Sequence, residues 1–292
     1  MRSVIKKTCP EPVERKRKQK RKSAFSLIEM LVVLAIIAML VVLAIPGINA
    51  MQKSFNSTGA EGMISAALST ARTLAMSHQQ YAGVRFQKAG DPNNALKADQ
   101  YMIFIIYEEP AKITIVDGFR AVEGYKPIKL PENIGVVDKM VRTNNGTSEV
   151  AARCENANEM ELIENDLDAS ILNRTITDTS AFSIVFSSAG KLVIHDVRTR
   201  NKNGDYRPTT PVLSGYDDVF NSPENITVNN TGQFVQDDYA HFGLGGEKSR
   251  REFYIYDKEK FEKMTTSSQR MAYLNGLKPV YVNPYTGELI KK

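Results

Sequence analysis

The apolar positions of this chain follow two different patterns. Across residues 25–45 only Ser26 and Glu29 are polar, and residues 30–45 form an unbroken apolar run. A helix of that length rises about 31 Å, close to the hydrocarbon thickness of a bilayer. A helix buried in a soluble core usually keeps a polar stripe, and this run has none. It is read as a membrane-spanning helix over 25–45.

Past this run the pattern changes. Pro46-Gly47 is expected to kink or locally melt the helix, since proline lacks the amide donor and glycine is conformationally loose. Gly59 and Gly62 weaken it again, and Asn56-Ser57-Thr58 could cap a restart. In residues 60–77, Ile64, Leu68, Ala71 and Ala75 recur at i, i+4, i+7 and i+11, flanked by Met63, Ala67 and Leu74. That is one face of an amphipathic helix, so residues 46–80 read as an amphipathic continuation of the N-terminal helix. Its small alanines imply close packing against a sheet or other helices.

Residues 81–87 alternate and are rich in aromatic and branched side chains, which predicts a strand. Further strands are predicted at 100–107, 112–116, 134–137, 181–186, 191–197 and 252–256. Turn clusters separate them at 91–94, 144–146, 201–205 and 243–246. Helical patterns cover 159–174 and 258–276, the second with Phe261, Met264 and Met271 on one side. The predicted fold class is α+β: a long N-terminal helix packed on an antiparallel, β-rich domain over 81–292, with insertions near 138–180 and 198–250.

Charge refines this division. Ten of the 38 basic residues and two of the 33 acidic ones lie in residues 1–24, a net of +8. The remaining 28 basic side chains face 31 acidic ones, so the body is slightly acidic. No electrostatic footprint for nucleic acid exists in the folded part. The basic block 15–22 directly precedes the apolar run, which holds residues 1–24 in the cytoplasm and sends the rest outward. Two cysteines, Cys9 and Cys154, cannot form a disulfide framework. Glu29 is the anomaly, because a carboxyl group within an apolar segment is costly and is usually paired or functional.

The candidate chemistry is sparse. Asn201, Asn203 and Asp205 alternate like the opening of a calcium loop, but no glutamate follows at its twelfth position, and a turn is the better reading. Asp217-Asp218 and Asp237-Asp238 read as solvated loop acids, and Asn283-Pro284-Tyr285-Thr286-Gly287 as a turn. Ser187-Ser188-Ala189-Gly190 is not a nucleophile elbow, and His195-Asp196 could at most be an orienting pair. No catalytic residue, cofactor-binding residue or metal ligand is assigned, and the chain is not expected to be an enzyme.

The junction Arg21-Lys22-Ser23-Ala24-Phe25-Ser26-Leu27-Ile28-Glu29-Met30-Leu31 resembles the class III signal of type IV pilins and type II secretion pseudopilins. The resemblance implies a basic leader (1–24) removed by prepilin peptidase between Ala24 and Phe25, followed by N-methylation of Phe25. It places Glu29 fifth after the cut, where the family has the glutamate that meets the N-terminal amine of a neighbouring subunit. Pro46 falls at the twenty-second position, where the family tends to have proline. Ala24 stands where the family prefers glycine. Residues 71–80 (ARTLAMSHQQ) followed by Val84-Arg85-Phe86 most resemble H-type minor pseudopilins, and Phe186 with the turn at Gly190 echoes a later hairpin of those proteins.

The implied function is that of a minor structural subunit of a secretion pseudopilus. Its implied partners are prepilin peptidase, other pilin or pseudopilin subunits and an inner-membrane assembly platform. The implied location is the inner membrane, single-pass, with the C-terminal domain periplasmic. A minor type IV pilin of an adhesion, motility or DNA-uptake filament is the alternative within this class. A single-pass anchored protein with an exported ligand-binding domain is the alternative outside it. A plain anchor has no need of a small residue at 24, of Glu29 or of Pro46.

Overall fold

The computed structural model describes residues 27–89, 98–108, 118–142, 149–151, 180–201, 219–221, 225–226, 232–236 and 247–291. The strand expected over 112–116, the helix expected over 159–174, both cysteines and the turns at 91–94, 144–146 and 243–246 lie outside them, as do Asn203 and Asp205. The chain divides into two compact units, Met1–Met51 and Gln52–Lys292.

Helix α1 (Leu27–His78) is the first element. The backbone stays helical through Pro46, Gly47, Gly59 and Gly62, so neither the local melting expected at Pro46-Gly47 nor a restart at Asn56-Ser57-Thr58 divides it. Propensity costs of about 1 kcal/mol per glycine are small against tertiary burial of a helix face. That burial begins with Ala60. Ile64, Leu68, Ala71 and Ala75 are fully buried, and Ala67 and Leu74 nearly so. The predicted amphipathic face is therefore the face that packs.

It packs on an antiparallel six-stranded sheet. Strand β1 (Ala82–Lys88) is central, with β2 (Gln100–Glu108) on one side and β8 (Phe182–Phe186) on the other. Beyond β2 lie β3 (Gly118–Ala121) and β4 (Ile128–Lys129), and beyond β8 lies β9 (Leu192–Val193). Side chains alternate across a strand. Ala82, Val84 and Phe86 of β1, Met102, Phe104 and Ile106 of β2, and Phe182, Ile184 and Phe186 of β8 share one core with Ile64, Leu68 and Ala71. Phe86 stacks on Phe182 with ring centroids 4.9 Å apart.

A second antiparallel sheet completes that core. It runs β16 (Leu289–Lys291), β15 (Val280–Val282), β14 (Glu252–Asp257), β5 (Ile134–Val137). Val136, Phe253, Val280 and Val282 bury their side chains in the same cluster as α1 and the first sheet. Strand β6 (Met140–Arg142) pairs with β7 (Glu149–Ala151) as a separate ribbon.

The opposite face of the six-stranded sheet is also covered. The strand expected over 81–87 forms as β1, and every one of its residues is buried. The cover comes from β10 (Asp196–Val197), β11 (Phe220–Asn221), β12 (Phe234–Val235) and β13 (Glu247–Lys248). Val197, Phe220 and Phe234 pack with Ile103, Ile105 and Val185, which point away from α1. The described part of the insertion predicted near 198–250 is thus a second layer over the sheet.

The helical pattern over 258–276 resolves into two helices. Helix α2 (Lys258–Lys263) has Asp257 as N-cap, its side chain accepting from the Lys260 amide at 3.0 Å. Met264 leaves the helix with extended dihedrals, and Thr266 caps α3 (Ser267–Asn275) by accepting from the Gln269 amide at 3.3 Å. The Thr-Thr-Ser-Ser run supplies capping hydroxyls in mid-pattern, which breaks one helix into two. Phe261 and Leu274 pack with Val137 and Tyr256, while Met264 is only half-buried.

The expected turn at residues 187–190 joins β8 to β9 and docks on α1. Gly190 has φ +72°, Arg72 Nε donates to its carbonyl at 2.9 Å, and a Cβ there would lie 2.6 Å from Met76 Sδ. Gly190→Ala therefore meets the left-handed backbone penalty and a close contact that the flexible end of the Met76 side chain must shift to relieve. It is expected to destabilise the folded unit by about 1–3 kcal/mol, while the neighbouring exposed Ser188→Ala stays within about 0.5 kcal/mol. Urea unfolding of the detergent-solubilised chain followed by circular dichroism measures both.

Candidate functional site

The N-terminal part of α1 is built unlike the rest of the molecule. Every described side chain from residue 27 to residue 40 is exposed. Leu27 is 82%, Leu34 64% and Met39 68% exposed, and Val33 and Ile37, on other sides of the helix, are 48% and 50% exposed. Helical residues point out at about 100° steps, so this surface is apolar all round. Such a cylinder is stable only when buried in a partner or in lipid.

Glu29 sits in the first turn of α1 and is exposed. There its negative charge faces the positive end of the helix macrodipole, worth about 0.3–1 kcal/mol at a surface. Phe25 precedes Glu29 by four positions in the sequence. Ala24 and Phe25 lie outside the described residues, and the helix passes through Pro46 and Gly47 without a break in its assignment. Among the described residues no helix is long and apolar enough to cross a membrane. The described side chains in this stretch end at Leu40, so the span read over 25–45 reaches past them.

Among the described residues, the remaining candidates from the sequence take structural positions. His195 Nδ1 lies 2.6 Å from the backbone carbonyl of Asp196, not its carboxylate, so the two do not form an orienting pair. The imidazole instead joins an aromatic cluster, with ring centroids 4.4 Å from Tyr81, 5.4 Å from Tyr107 and 5.6 Å from Phe119. Asn283 Oδ1 accepts from the amides of Tyr285 and Thr286 at 2.9 and 3.2 Å, and Gly287 has φ +78°. This is the turn joining β15 to β16. Among the described residues no group of three or more His, Cys, Asp and Glu side chains is placed to hold a metal ion.

The structure also buries charge that the pattern did not single out. Arg85, on the face of β1 away from α1, is 1% exposed. Its Nη1 lies 2.7 Å from Glu247 Oε2 and 3.2 Å from Ser183 Oγ, and its Nε donates to Gln87 Oε1 at 2.6 Å. Gln87 Nε2 donates in turn to the Val235 carbonyl at 2.6 Å. These contacts tie the central strand to β12 and β13. A similar contact joins Arg250 Nε to the buried Asp138 at 2.6 Å. Arg120 and Arg200 are buried beside Gly118, where a Cβ would lie 3.1 Å from Arg120 Nη1 and 3.6 Å from Arg200 Cγ.

Comparison with known families adds one finding. Residues 19–45 match the family model for the prokaryotic N-terminal methylation motif. The match covers the end of the basic leader, the Ala24–Phe25 junction, Glu29 and the apolar run, and so gives the chain a prepilin-type signal of the kind prepilin peptidase processes. Neither curated proteins nor solved structures gave a match.

The Arg85–Glu247 pair allows a direct test of what holds the second layer. Losing one partner of a buried pair strands the other charge, at a cost of about 3–5 kcal/mol. Arg85→Met and Glu247→Leu are each expected to destabilise by that amount, while the double variant loses clearly less than the sum, with a coupling above about 1 kcal/mol. A double-mutant cycle by urea unfolding of the solubilised chain reads this. Simple additivity would mean the two side chains do not depend on each other.

Proposed function

We propose that this chain is a prepilin-like structural subunit, cut by prepilin peptidase between Ala24 and Phe25 and assembled as a minor component of a type II secretion pseudopilus. It works by assembly and not by catalysis. The observation that carries this reading is the methylation-motif match over residues 19–45, lying on a helix whose described start is apolar on every side. Before assembly, residues 25–45 are held in the inner membrane with the folded unit on its outer side. During assembly the helix exchanges lipid for like helices, trading one apolar surrounding for another while gaining van der Waals packing. The partners are prepilin peptidase, other pilin or pseudopilin subunits and a membrane assembly platform. The likeness of residues 71–80 and of Val84-Arg85-Phe86 to H-type minor pseudopilins supports the secretion assignment over a minor pilin of an adhesion, motility or DNA-uptake filament.

Glu29 gives the assembly step its register. Once the leader is removed, Phe25 carries a free amine, methylated in this reading, at the start of the apolar helix. A carboxylate and an ammonium about 4 Å apart attract by roughly 4 kcal/mol at an effective dielectric of 20, before desolvation is subtracted. In an apolar surrounding either charge alone is costly, so pairing Glu29 with the amine of a neighbouring subunit favours one axial offset over the others.

Glu29→Gln is therefore expected to leave cleavage before Phe25 intact and to lower recovery in sheared or crosslinked filaments at least tenfold when expressed beside wild-type partners. Mass spectrometry of the N-terminal peptide reads processing in the same samples. A wild-type chain that still begins at Met1, or begins after Ala50, would overturn the prepilin reading. Normal incorporation of the variant would remove Glu29 from the shaft contacts, and loss of cleavage would assign it to peptidase recognition.

A further inference from the structure

The last strand of the chain lies along the beginning of the packed part of α1. Among the described residues β16 pairs with β15 alone, at the outer edge of the second sheet. At its far end Lys291 Nζ is 2.7 Å from Glu61 Oε1, next to Ala60, where burial of α1 begins. At its near end the preceding turn sits over Leu68. A Cβ on Gly287 would lie 3.6 Å from the Leu68 backbone carbonyl and 3.3 Å from Phe186 Cζ. Glu61 and Leu68 are about 10 Å apart along a helix, and an extended chain covers about 13 Å between Gly287 and Lys291. Strand β16 therefore runs beside the first two packed turns of α1.

Its two ends are held very unequally. The turn is fixed by the Asn283 amide donating to the Glu288 carbonyl at 2.8 Å, the Gly287 amide to the Asn283 carbonyl at 2.9 Å and the Leu192 amide to the Pro284 carbonyl at 2.8 Å. Beyond Glu288 the hold is slight. The Val282 amide donates to the Arg251 carbonyl at 2.9 Å and so faces β14. Amides alternate sides along a strand, which turns the Tyr281 amide toward β16, opposite Ile290. Of the three register pairs joining β15 to β16, Tyr281↔Ile290 is thus the one that exchanges hydrogen bonds. Leu289 reaches the core only in part, Ile290 is 41% exposed, and Lys291 is exposed. Few buried contacts and one bonded pair place a strand at the low end of local stability.

We propose that β16 is a clasp over the first packed turns of α1, that it swings out about Glu288 while the core stays folded, and that the Glu61–Lys291 ion pair sets how often it opens. Opening uncovers the flank of α1 at Glu61 and the outer edge of β15. Ile64 and Leu68 keep the core they share with Val84, Phe86 and Ile184 of the first sheet. The ion pair bridges two accessible side chains, 61% and 23% exposed, so dissolved salt screens it. Closure is therefore salt-dependent, and the hydrophobic core is not.

Amide-resolved hydrogen exchange of the full chain in detergent micelles tests this. The Ile290 and Tyr281 amides are expected to exchange together, at least tenfold faster than the Val282 amide once each is corrected for its intrinsic rate. Raising NaCl from about 0.02 M to about 0.5 M should lower protection of Ile290 and Tyr281 by about two- to fivefold, the worth of one exposed ion pair, and leave Val282 unchanged. Glu61→Gln should lower protection of Ile290 and Tyr281 by a similar factor at low salt and abolish their salt response. Lys291→Gln removes the same pair from its other side and should reproduce that result, which keeps the test intact if one variant fails to fold. Equal protection of Ile290 and Val282 would show that β16 opens only with the sheet, and would overturn the clasp. A salt response that persists in the folded variants would overturn the role of the ion pair.

Discussion

The surface of α1 from residue 27 to residue 40 presents Leu, Ile, Val and Met to every side, interrupted only by Glu29 near its beginning. At about 25 cal/mol per Å2 of apolar surface, such a cylinder cannot remain in water, and the folded unit Gln52–Lys292 is described with its own core already filled. In the proposed assembly this surface takes an apolar partner. Lipid and a bundle of like helices both meet that need, and a subunit that moves between them loses little hydrophobic free energy in transit. What distinguishes the two surroundings is packing and charge. In the proposed assembly, the Glu29 carboxyl at the start of the run supplies that distinction.

The C-terminal portion of the same helix obeys a different constraint. There the apolar residues occupy one face, and small alanines allow the backbone to approach the six-stranded sheet closely. The sheet in turn is buried on its far face by segments of the 198–250 insertion, which places Arg85, Gln87, Ser183 and Glu247 in an interior. Polar groups inside a protein must find partners, and here they find them in one another across three strands. The second layer is specified by this polar matching as well as by Phe220 and Phe234.

Much of the fold was legible in periodicity. Ile64, Leu68, Ala71 and Ala75 mark the packed helix face by spacing alone. The strands at 100–107, 134–137 and 252–256 stand out by branched and aromatic content. What periodicity could not show was the cover over the far face, because Arg85 and Gln87 look like wet positions until a distant glutamate is brought to them. The division of 258–276 turned on capping by Thr266, a local competition that an apolar pattern does not register. Residues 191–197 split into β9 and β10 where His195 turns into an aromatic cluster, again a tertiary effect. At the N-terminus, the methylation motif over residues 19–45 was readable because such a signal is a linear property of a chain.

In the proposed assembly, residues 27–40 meet other prepilin-type helices after the leader is removed. Photo-crosslinking from Ile36 in the native membrane tests it most directly, with and without active prepilin peptidase. Adducts to a second prepilin-type subunit that depend on the peptidase are the predicted result. Adducts that are the same without the peptidase, or no protein adduct at all in assembling cells, would contradict it.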